Sequence, residues 1–383
     1  MLGLSNACSS SSYIPFSTTK SILLNGTDEY LDTGATFQST WRGDFSISMW
    51  VRPTDGTPDS TVHLFGIYES PNVDEMYLEL STDGKLKFYF EANNDSVNVE
   101  IDAAVFSDGL PTFWKHIVVV CASDESTPAN NSVFTIYVDG IIPDQTTTNH
   151  VTGTNQQLFA TSDNLFIGAR NNDGTAEDFL SGGIDEFAIW SRTLSAAAIG
   201  DLYNDKNPTD LKTTEPGYLA ADINSLVSWY RMGDGAFDNI SVVHDQVNPG
   251  FGSDLVTNGT FDADSDWNGD ESISGGQLTK TSGSLVYQSG VVTEGKVYAI
   301  TVDVETVGAP NQIYAGGGSS GNLVAGVQTV YVTAGSSNNY IGFNNGDTST
   351  VYNSIIVKQL NGNPALVIGG VTSFSDDFSD SFA

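Results

Sequence analysis

Positive charge is what this sequence has least of: 14 Lys and Arg stand against 47 Asp and Glu in 383 residues, a net charge of −33. So acidic a surface repels phosphates and anionic lipid headgroups, which excludes nucleic acid and membrane insertion as partners. Solubility is the simplest reason for the charge; divalent-cation binding or a saline medium, where screening removes the self-repulsion, are the others. Cysteine is almost missing too. Cys8 and Cys121 make no disulfide framework and have no metal-ligand spacing. Cys121 ends the apolar run of residues 117–120 as a small core residue, and Cys8 lies in a Ser-rich leader. The four histidines, His63, His116, His150 and His244, are scattered without paired spacing, so neither a zinc site nor a catalytic triad is written. His116, two residues after Trp114 at a strand start, reads as structural. No apolar run nears the roughly 20 residues of a membrane helix. The opening Met1-Leu2-Gly3-Leu4 lacks the length and basic flank of a signal peptide, so a classical secretion route is not expected.

What is there is β-structure, in a chain long enough for two domains. Phe45 to Val51 alternates apolar and polar residues at period two, as a half-buried strand does. Residues 76–80 and 86–90 flank Thr82-Asp83-Gly84 as a hairpin, and residues 133–138 closing on Asp139-Gly140 repeat the device. One helix is expected, residues 195–203, with Ser195 as its N-cap and Ile199, Leu202 and Tyr203 on one face. Residues 205–225, with Pro208 and Pro216, read as a connecting loop. Residues 1–20 are Ser/Thr-rich and aperiodic, an arm that a partner would order. Thr372 to Ala383 is Ser-, Asp- and Phe-rich and is expected to reach away from the body. The fold class is therefore all-β: two consecutive β-sandwiches with one short helix and extended N- and C-terminal arms.

Four stretches in order resemble the laminin-G-like (concanavalin-A-like jelly-roll) family. They are Leu24-Asn25-Gly26 with Glu29-Tyr30-Leu31; residues 45–53; Trp114-Lys115-His116 leading to residues 136–140; and Gly182-Gly183-Ile184-Asp185-Glu186 running to Ser195. The resemblance places a first module at residues 21–249. Within it, residues 226–247 look like the family's first strand, displaced behind the helix. They are either a truncated second copy or a strand returning to complete the first sandwich; the second reading is preferred, because a lone strand cannot bury its apolar face. Residues 252–361, opening on Leu255 to Phe261 with Trp267 and Gly275-Gly276, are similar to carbohydrate-binding jelly-roll modules. Residues 362–383 are left as a C-terminal tail.

The resemblance implies binding without catalysis. Laminarinase-type hydrolases share the sandwich and use paired carboxylates. Here Asp185 and Glu186 are adjacent on a strand and should point to opposite faces, whereas Glu75 and Glu79 share a face with Tyr77 where that family places a third carboxylate. Gly316 to Gly321 fits both a dinucleotide-type glycine spacing and a nucleophile elbow, but a strand-like run follows where either chemistry needs a helix. Laminin-G-like modules often hold calcium at the sandwich rim. The resemblance makes Asp185 and the Asn25/Asp28 loop its candidates, the alternative being turn carboxylates in solvent. Asp264 and Asp266 match the first half of an EF-hand loop, yet Gly275 stands at the twelfth position, and a loop before a core Trp is the other reading. Trp41, in a polar loop before Phe45, is the candidate for stacking on a sugar, against a packing role.

The pairing of two such modules resembles accessory virion proteins of marine-type phages: head decorations, fibres or tail appendages. This implies a virion localisation, other virion proteins as partners through the terminal arms, cell-surface glycans as ligands and a homo-oligomer, although no heptad or collagen-like tract sets its order. A secreted bacterial adhesin or the binding region of a glycoside hydrolase is the alternative.

Overall fold

The computed structural model of the protein describes residues 16, 18–69, 74–92, 95–107, 113–123, 132–150, 159–308, 311–343 and 349–376. Cys8, most of the expected N-terminal arm and the last seven residues of the expected tail lie outside the described residues. The chain is all-β, two sandwiches of the expected jelly-roll class. Among the described residues no helix is long and apolar enough to cross a membrane.

The first sandwich pairs a six-stranded with an eleven-stranded sheet. The smaller sheet runs Ile22–Asn25, Ser181–Trp190, Phe45–Pro53, Lys115–Ala122 and Val133–Val138, with Leu226–Tyr230 beside Ser181–Trp190. The larger runs Gln145–His150, Asp95–Ile101, Leu86–Ala92, Asp74–Leu80, Val62–Glu69, Phe166–Ile167, Tyr30–Asp32, Ala365–Ile368 and Val242–Val243, with Arg170–Asn172 beside Val62–Glu69 and Thr175–Glu177 beside Arg170–Asn172. Its strands alternate as the period-two pattern requires. Leu86, Phe88, Phe90 and Ala92 are buried between the sheets, while Lys87, Tyr89 and Glu91 are half-buried on the opposite face. Phe45, Phe90, Phe134 and Phe159 pack ring against ring at the centre of the core.

The smaller sheet is covered on both sides. Its outer side carries helix Ala196–Tyr203, capped by the Ser195 hydroxyl, which accepts from Ala198 N at 3.1 Å. Ala198, Ile199 and Leu202 pack there on Trp190 and Trp229, joined by Leu211 and Tyr218. The segment 205–225 is therefore more than a connecting loop: it buries Leu211 and Tyr218 and forms a short helix, Ala220–Asn224. Leu226–Tyr230 returns antiparallel to Ser181–Trp190, with Trp229 opposite Ala188.

The linear order of modules requires a correction. The second sandwich is inserted between two neighbouring strands of the first: Val242–Val243 leads out, Ala365–Ile368 leads back, and the two pair antiparallel. Ala365–Ile368 also pairs with Tyr30–Asp32, Phe374 packs on the first core, and Ser375 exchanges two backbone hydrogen bonds with Ser21. Residues 362–376 are thus part of the first sandwich, not a tail, and Thr372 to Asp376 does not reach away. The physical reason is edge satisfaction: Tyr30–Asp32 would otherwise present unpaired N–H and C=O groups. The Asp245 carboxylate secures the crossing, accepting from Trp229 N, Val247 N and Asn363 N at 3.0, 3.0 and 3.2 Å.

The second sandwich packs a six-stranded sheet on a four-stranded one around Phe261, Trp267, Tyr298, Phe343 and Tyr352. Residues 316–321 form a strand reversal there, with Gly318–Ser319 folding back on Ile313–Ala315 and no helix following. Val242, Val297, Ala299 and Leu360 form a separate apolar cluster between the two modules.

Candidate functional site

The larger sheet of the first module leaves one face open, and that face is organised in rows by strand register. One row holds Arg170, Gly66, Tyr77, Tyr89 and Asn98; the flanking rows hold Tyr68, Glu75, Glu91 and Ser96 on one side and His63, Glu79, Lys87 and Glu100 on the other. Tyr77 and Tyr89 stack with centroids 5.1 Å apart and planes 11° from parallel. The Arg170 guanidinium lies 5.7 Å from the Tyr77 centroid and 5.5 Å from that of Tyr68. Gly66 makes this possible, since a Cβ there would stand 3.0 Å from Tyr77 Cβ and 3.2 Å from Arg170 Cγ.

Ion pairs lock the polar side chains. Arg170 donates to Glu75 at 2.7 Å and to Glu177 at 3.0 Å, and Lys87 holds Glu79 at 2.6 Å. The Tyr89 hydroxyl donates to Glu91. His63 lies edge-on to Tyr77 at 4.7 Å, its Nδ1 3.3 Å from Asp178. Burial pushes Glu75 up to about 7, against the pull of Arg170 and with the push of Glu91 directly opposite. Burial, with the charges of Arg170 and Lys87, pushes His63 down to about 3.

The two shifts have opposite linkage signs. Between 4.5 and about 7 folded Glu75 holds a proton that the unfolded chain has released, so its contribution to stability falls as pH rises through that window. Between 6.5 and about 3 the unfolded chain binds a proton that folded His63 refuses, so its contribution falls as pH falls. Glu75→Gln is therefore expected to flatten the rise in melting temperature between neutral pH and about pH 5. Melting curves with the same pH slope in variant and parent would refute the assignment.

The carboxylates suited to hydrolysis are not free to perform it. Glu75 and Glu79 share the face as expected, but each is engaged by a cation. Tyr77 between them is only 9% exposed, beneath Arg170 and Lys87. Asp185 and Glu186 depart from the expected alternation. A β-bulge between Asp185 and Ala188, with Glu186 at φ +48°, turns both carboxylates to the outer side of the smaller sheet. There both are buried. Glu186 accepts from Trp229 Nε1 at 2.5 Å, Thr18 Oγ1 at 2.7 Å and Arg231 Nε at 3.1 Å. Asp185 accepts from Glu186 N at 2.8 Å, and its pKa is raised by burial and then by the neighbouring Glu186 charge. Adjacent but unreachable, this pair serves the fold.

The calcium donors expected from resemblance do not converge. Asn25 lies opposite Ser181, four residues along the strand from Asp185, and its Oδ1 accepts from Thr27 N and Asp28 N while its Nδ2 donates to Asp28. That is a closed Asx turn. Asp264 and Asp266 sit on an exposed loop whose Trp267 is anchored in the core, with its Nε1 donating to Asn258 O at 3.2 Å. Among the described residues no three His, Cys, Asp or Glu side chains are placed to hold an ion. Trp41 is no sugar platform. It is 1% exposed in the one-turn helix Gln38–Trp41, edge-on to Phe45 at 5.1 Å, with its Nε1 donating to Thr36 O. Packing won because the polar residues around it form the turn that folds the indole inward. Sequence reasoning passed over Tyr89, Arg170 and Lys87; the strict alternation of residues 86–92 was the signal that put Lys87, Tyr89 and Glu91 on one open face.

Comparison with known proteins gives one family match and several likenesses to solved structures. No curated protein matches the chain in sequence. Among solved structures, the chain is similar to the CBM40 of Ruminococcus gnavus IT-sialidase bound to α2,3-sialyllactose, at 13% identity and TM-score 0.36, covering 48% of this chain and 96% of that one. It is also similar to a heptameric SAP-like pentraxin of Limulus polyphemus (11% identity, TM-score 0.30, 49% and 76% covered). A third likeness is to the NanB sialidase of Streptococcus pneumoniae (14% identity, TM-score 0.37, 70% covered), of which the chain spans 33%. Residues 25–200, the heart of the first sandwich, match the family model of the concanavalin A-like lectin/glucanases superfamily.

Proposed function

We propose that the protein binds glycans without cleaving them, through the tyrosine face of its first sandwich, and displays that face on the outside of a virion as an accessory structural protein. The observation that carries the binding reading is the half-buried Tyr89 ring, backed by the buried Tyr77 ring and set in rows of pre-positioned donors and acceptors. Aromatic rings offer the apolar faces of a sugar a surface, and fixed polar groups at the rim select its hydroxyls. Six carboxylates, Glu75, Glu79, Glu91, Glu100, Glu177 and Asp178, against the three cations Arg170, Lys85 and Lys87 disfavour anionic sugars there. The absence of catalysis is supported by the engagement of Glu75 and Glu79 in ion pairs and by Tyr77 filling the space between them. Virion display is supported by the pairing of the two modules and the acidic surface, and many copies would let weak contacts sum to firm attachment.

Tyr89, half-buried on the face, is the safe residue to remove. On a glycan array, Tyr89→Ala is expected to weaken at least one bound glycan class by about tenfold, the scale of one aromatic anchor. A folded variant that keeps every signal at parent strength would end the assignment of this face. Release of reducing sugar by the intact protein would end the non-catalytic reading. A mass-spectrometric inventory of purified particles lacking the protein would move it to an adhesin or to the binding region of a glycoside hydrolase.

A further inference from the structure

The four-stranded sheet of the second sandwich consists of Val286–Gln288, Ile341–Phe343, Ile313–Ala315 and Gly318–Ser319 in that order. Val286, Ile313, Ala315, Ile341 and Phe343 point into the core. Alternation sends Tyr287, Tyr314 and Gly342 to the other side, and register sets them in one line: Tyr287 and Tyr314 both lie directly across from Gly342 in the strand between them. Tyr340, two residues before Gly342, stands on the same side, its ring 5.9 Å from that of Tyr287 at 66°. All three rings are half-buried, so each keeps an accessible surface.

Gly342 is the point of closest packing in this arrangement. A Cβ there would stand 2.8 Å from Val286 O, 2.9 Å from Tyr287 Cβ and 3.2 Å from Leu285 Cδ1, so only glycine lets the Tyr287 strand and the Leu285 side chain pack this closely beside the rings. Two interstrand spacings, about 9–10 Å, separate the strands that carry Tyr287 and Tyr314, and Tyr340 stands on the strand between them, so the three rings form one aromatic surface. The four strands contain no Asp, Glu, Lys or Arg, in a chain with 61 such residues.

We propose that Tyr287, Tyr314 and Tyr340 around Gly342 form a second binding site, for an uncharged glycan that lays one pyranose ring on the accessible surface of these rings. Uncharged strands and hydroxyl-tipped rings suit a neutral polyol, and they offer no cation to a sialylated or sulfated one. A second copy of the chain is the poorer occupant, because two molecules of charge −33 repel as they approach. The inference extends the glycan reading to other residues on another module, and it is tested separately.

The experiment uses the full chain and three soluble neutral polysaccharides, a β-glucan, a mannan and a galactan, in affinity electrophoresis and calorimetry. Tyr287→Ala and Tyr314→Ala are expected each to weaken binding to at least one of them by about tenfold. Tyr314→Phe should retain it, and so should Tyr89→Ala on the first module. Raising salt to about 0.5 M should leave the affinity unchanged, as no ion pair is involved. Unchanged binding in folded Tyr287→Ala and Tyr314→Ala proteins overturns the site. So does failure of the parent to bind any of the three, a preference for sulfated or sialylated polysaccharides that Tyr314→Ala abolishes, or a dimer that Tyr314→Ala dissociates with glycan binding intact. Loss of every glycan signal in Tyr89→Ala also overturns this site while leaving the first-module reading in place.

Discussion

A chain ending at Asn361 is expected to lose the stable first sandwich, although the missing residues follow the second module. Its larger sheet would be left without Ala365–Ile368, exposing the edge of Tyr30–Asp32 and unpairing Val242–Val243. Val371 and Phe374 would leave the core, where burial of a large apolar side chain contributes about 1.5–3 kcal/mol. Set against a total margin of roughly 5–15 kcal/mol, that is a large fraction. Calorimetry should show the transition of the first sandwich falling by ~10 °C or vanishing, at about 2–4 °C per kcal/mol for a domain of this size. Val367→Pro tests the same strand without truncation: it removes the N–H that donates to Ser241 O at 3.0 Å and is expected to cost about 3 kcal/mol. If both proteins melt like the parent, the inserted topology is wrong.

Arg231→Ala should be the most damaging single substitution on the outer side of the smaller sheet. Arg231 is the cation against two buried acids, its Nε donating to Glu186 at 3.1 Å and its guanidinium lying 4.3 Å from the Phe16 ring and 5.3 Å from that of Trp229. Glu186 is 5% exposed and Asp185 is fully buried. Removing one partner of a buried pair strands the other charge, at a cost of about 3–5 kcal/mol. Arg231→Ala combined with Glu186→Gln should recover part of that loss, because the amide needs no counter-charge. Burial raises the pKa of both acids, so they become neutral as pH falls, and the variant's deficit should shrink in acid. A single variant within about 0.5 kcal/mol of the parent, or a double variant no better than the single, would exclude this role for Arg231.

The same site shows where local reading stops. Alternation along a strand correctly put Glu75, Tyr77 and Glu79 on one face, and the Asp83-Gly84 turn correctly made residues 76–80 and 86–90 the arms of a hairpin. It failed at Asp185 and Glu186, because a bulge adds one residue to Ser181–Trp190 and shifts the face of everything it displaces. Nothing in the residue types at 185–188 marks that bulge. It is stabilised by partners from elsewhere: Arg231 and Trp229 on the returning strand and Thr18 from the N-terminal segment. Trp41 failed in a similar way. Its polar neighbours suggested exposure, but they form the turn that delivers the indole to Phe45.

Period-two alternation, turn residues and a capped helix are properties of neighbouring residues, so all-β architecture, the hairpins and the Ser195 cap were determined by the sequence itself. Acidity and the scarcity of Cys and His, which narrow the chemistry, are likewise properties of the chain alone. Which tyrosines face one another was not. Tyr77 meets Tyr89 across a short hairpin, but Tyr287 and Tyr314 come to flank Gly342 only through the pairing of three strands spread over nearly sixty residues. The return of Ala365–Ile368 to the first sandwich is of the same kind. Long-range pairing is chosen by which open edges and apolar faces remain after the local elements form, and that choice exists only in the assembled fold.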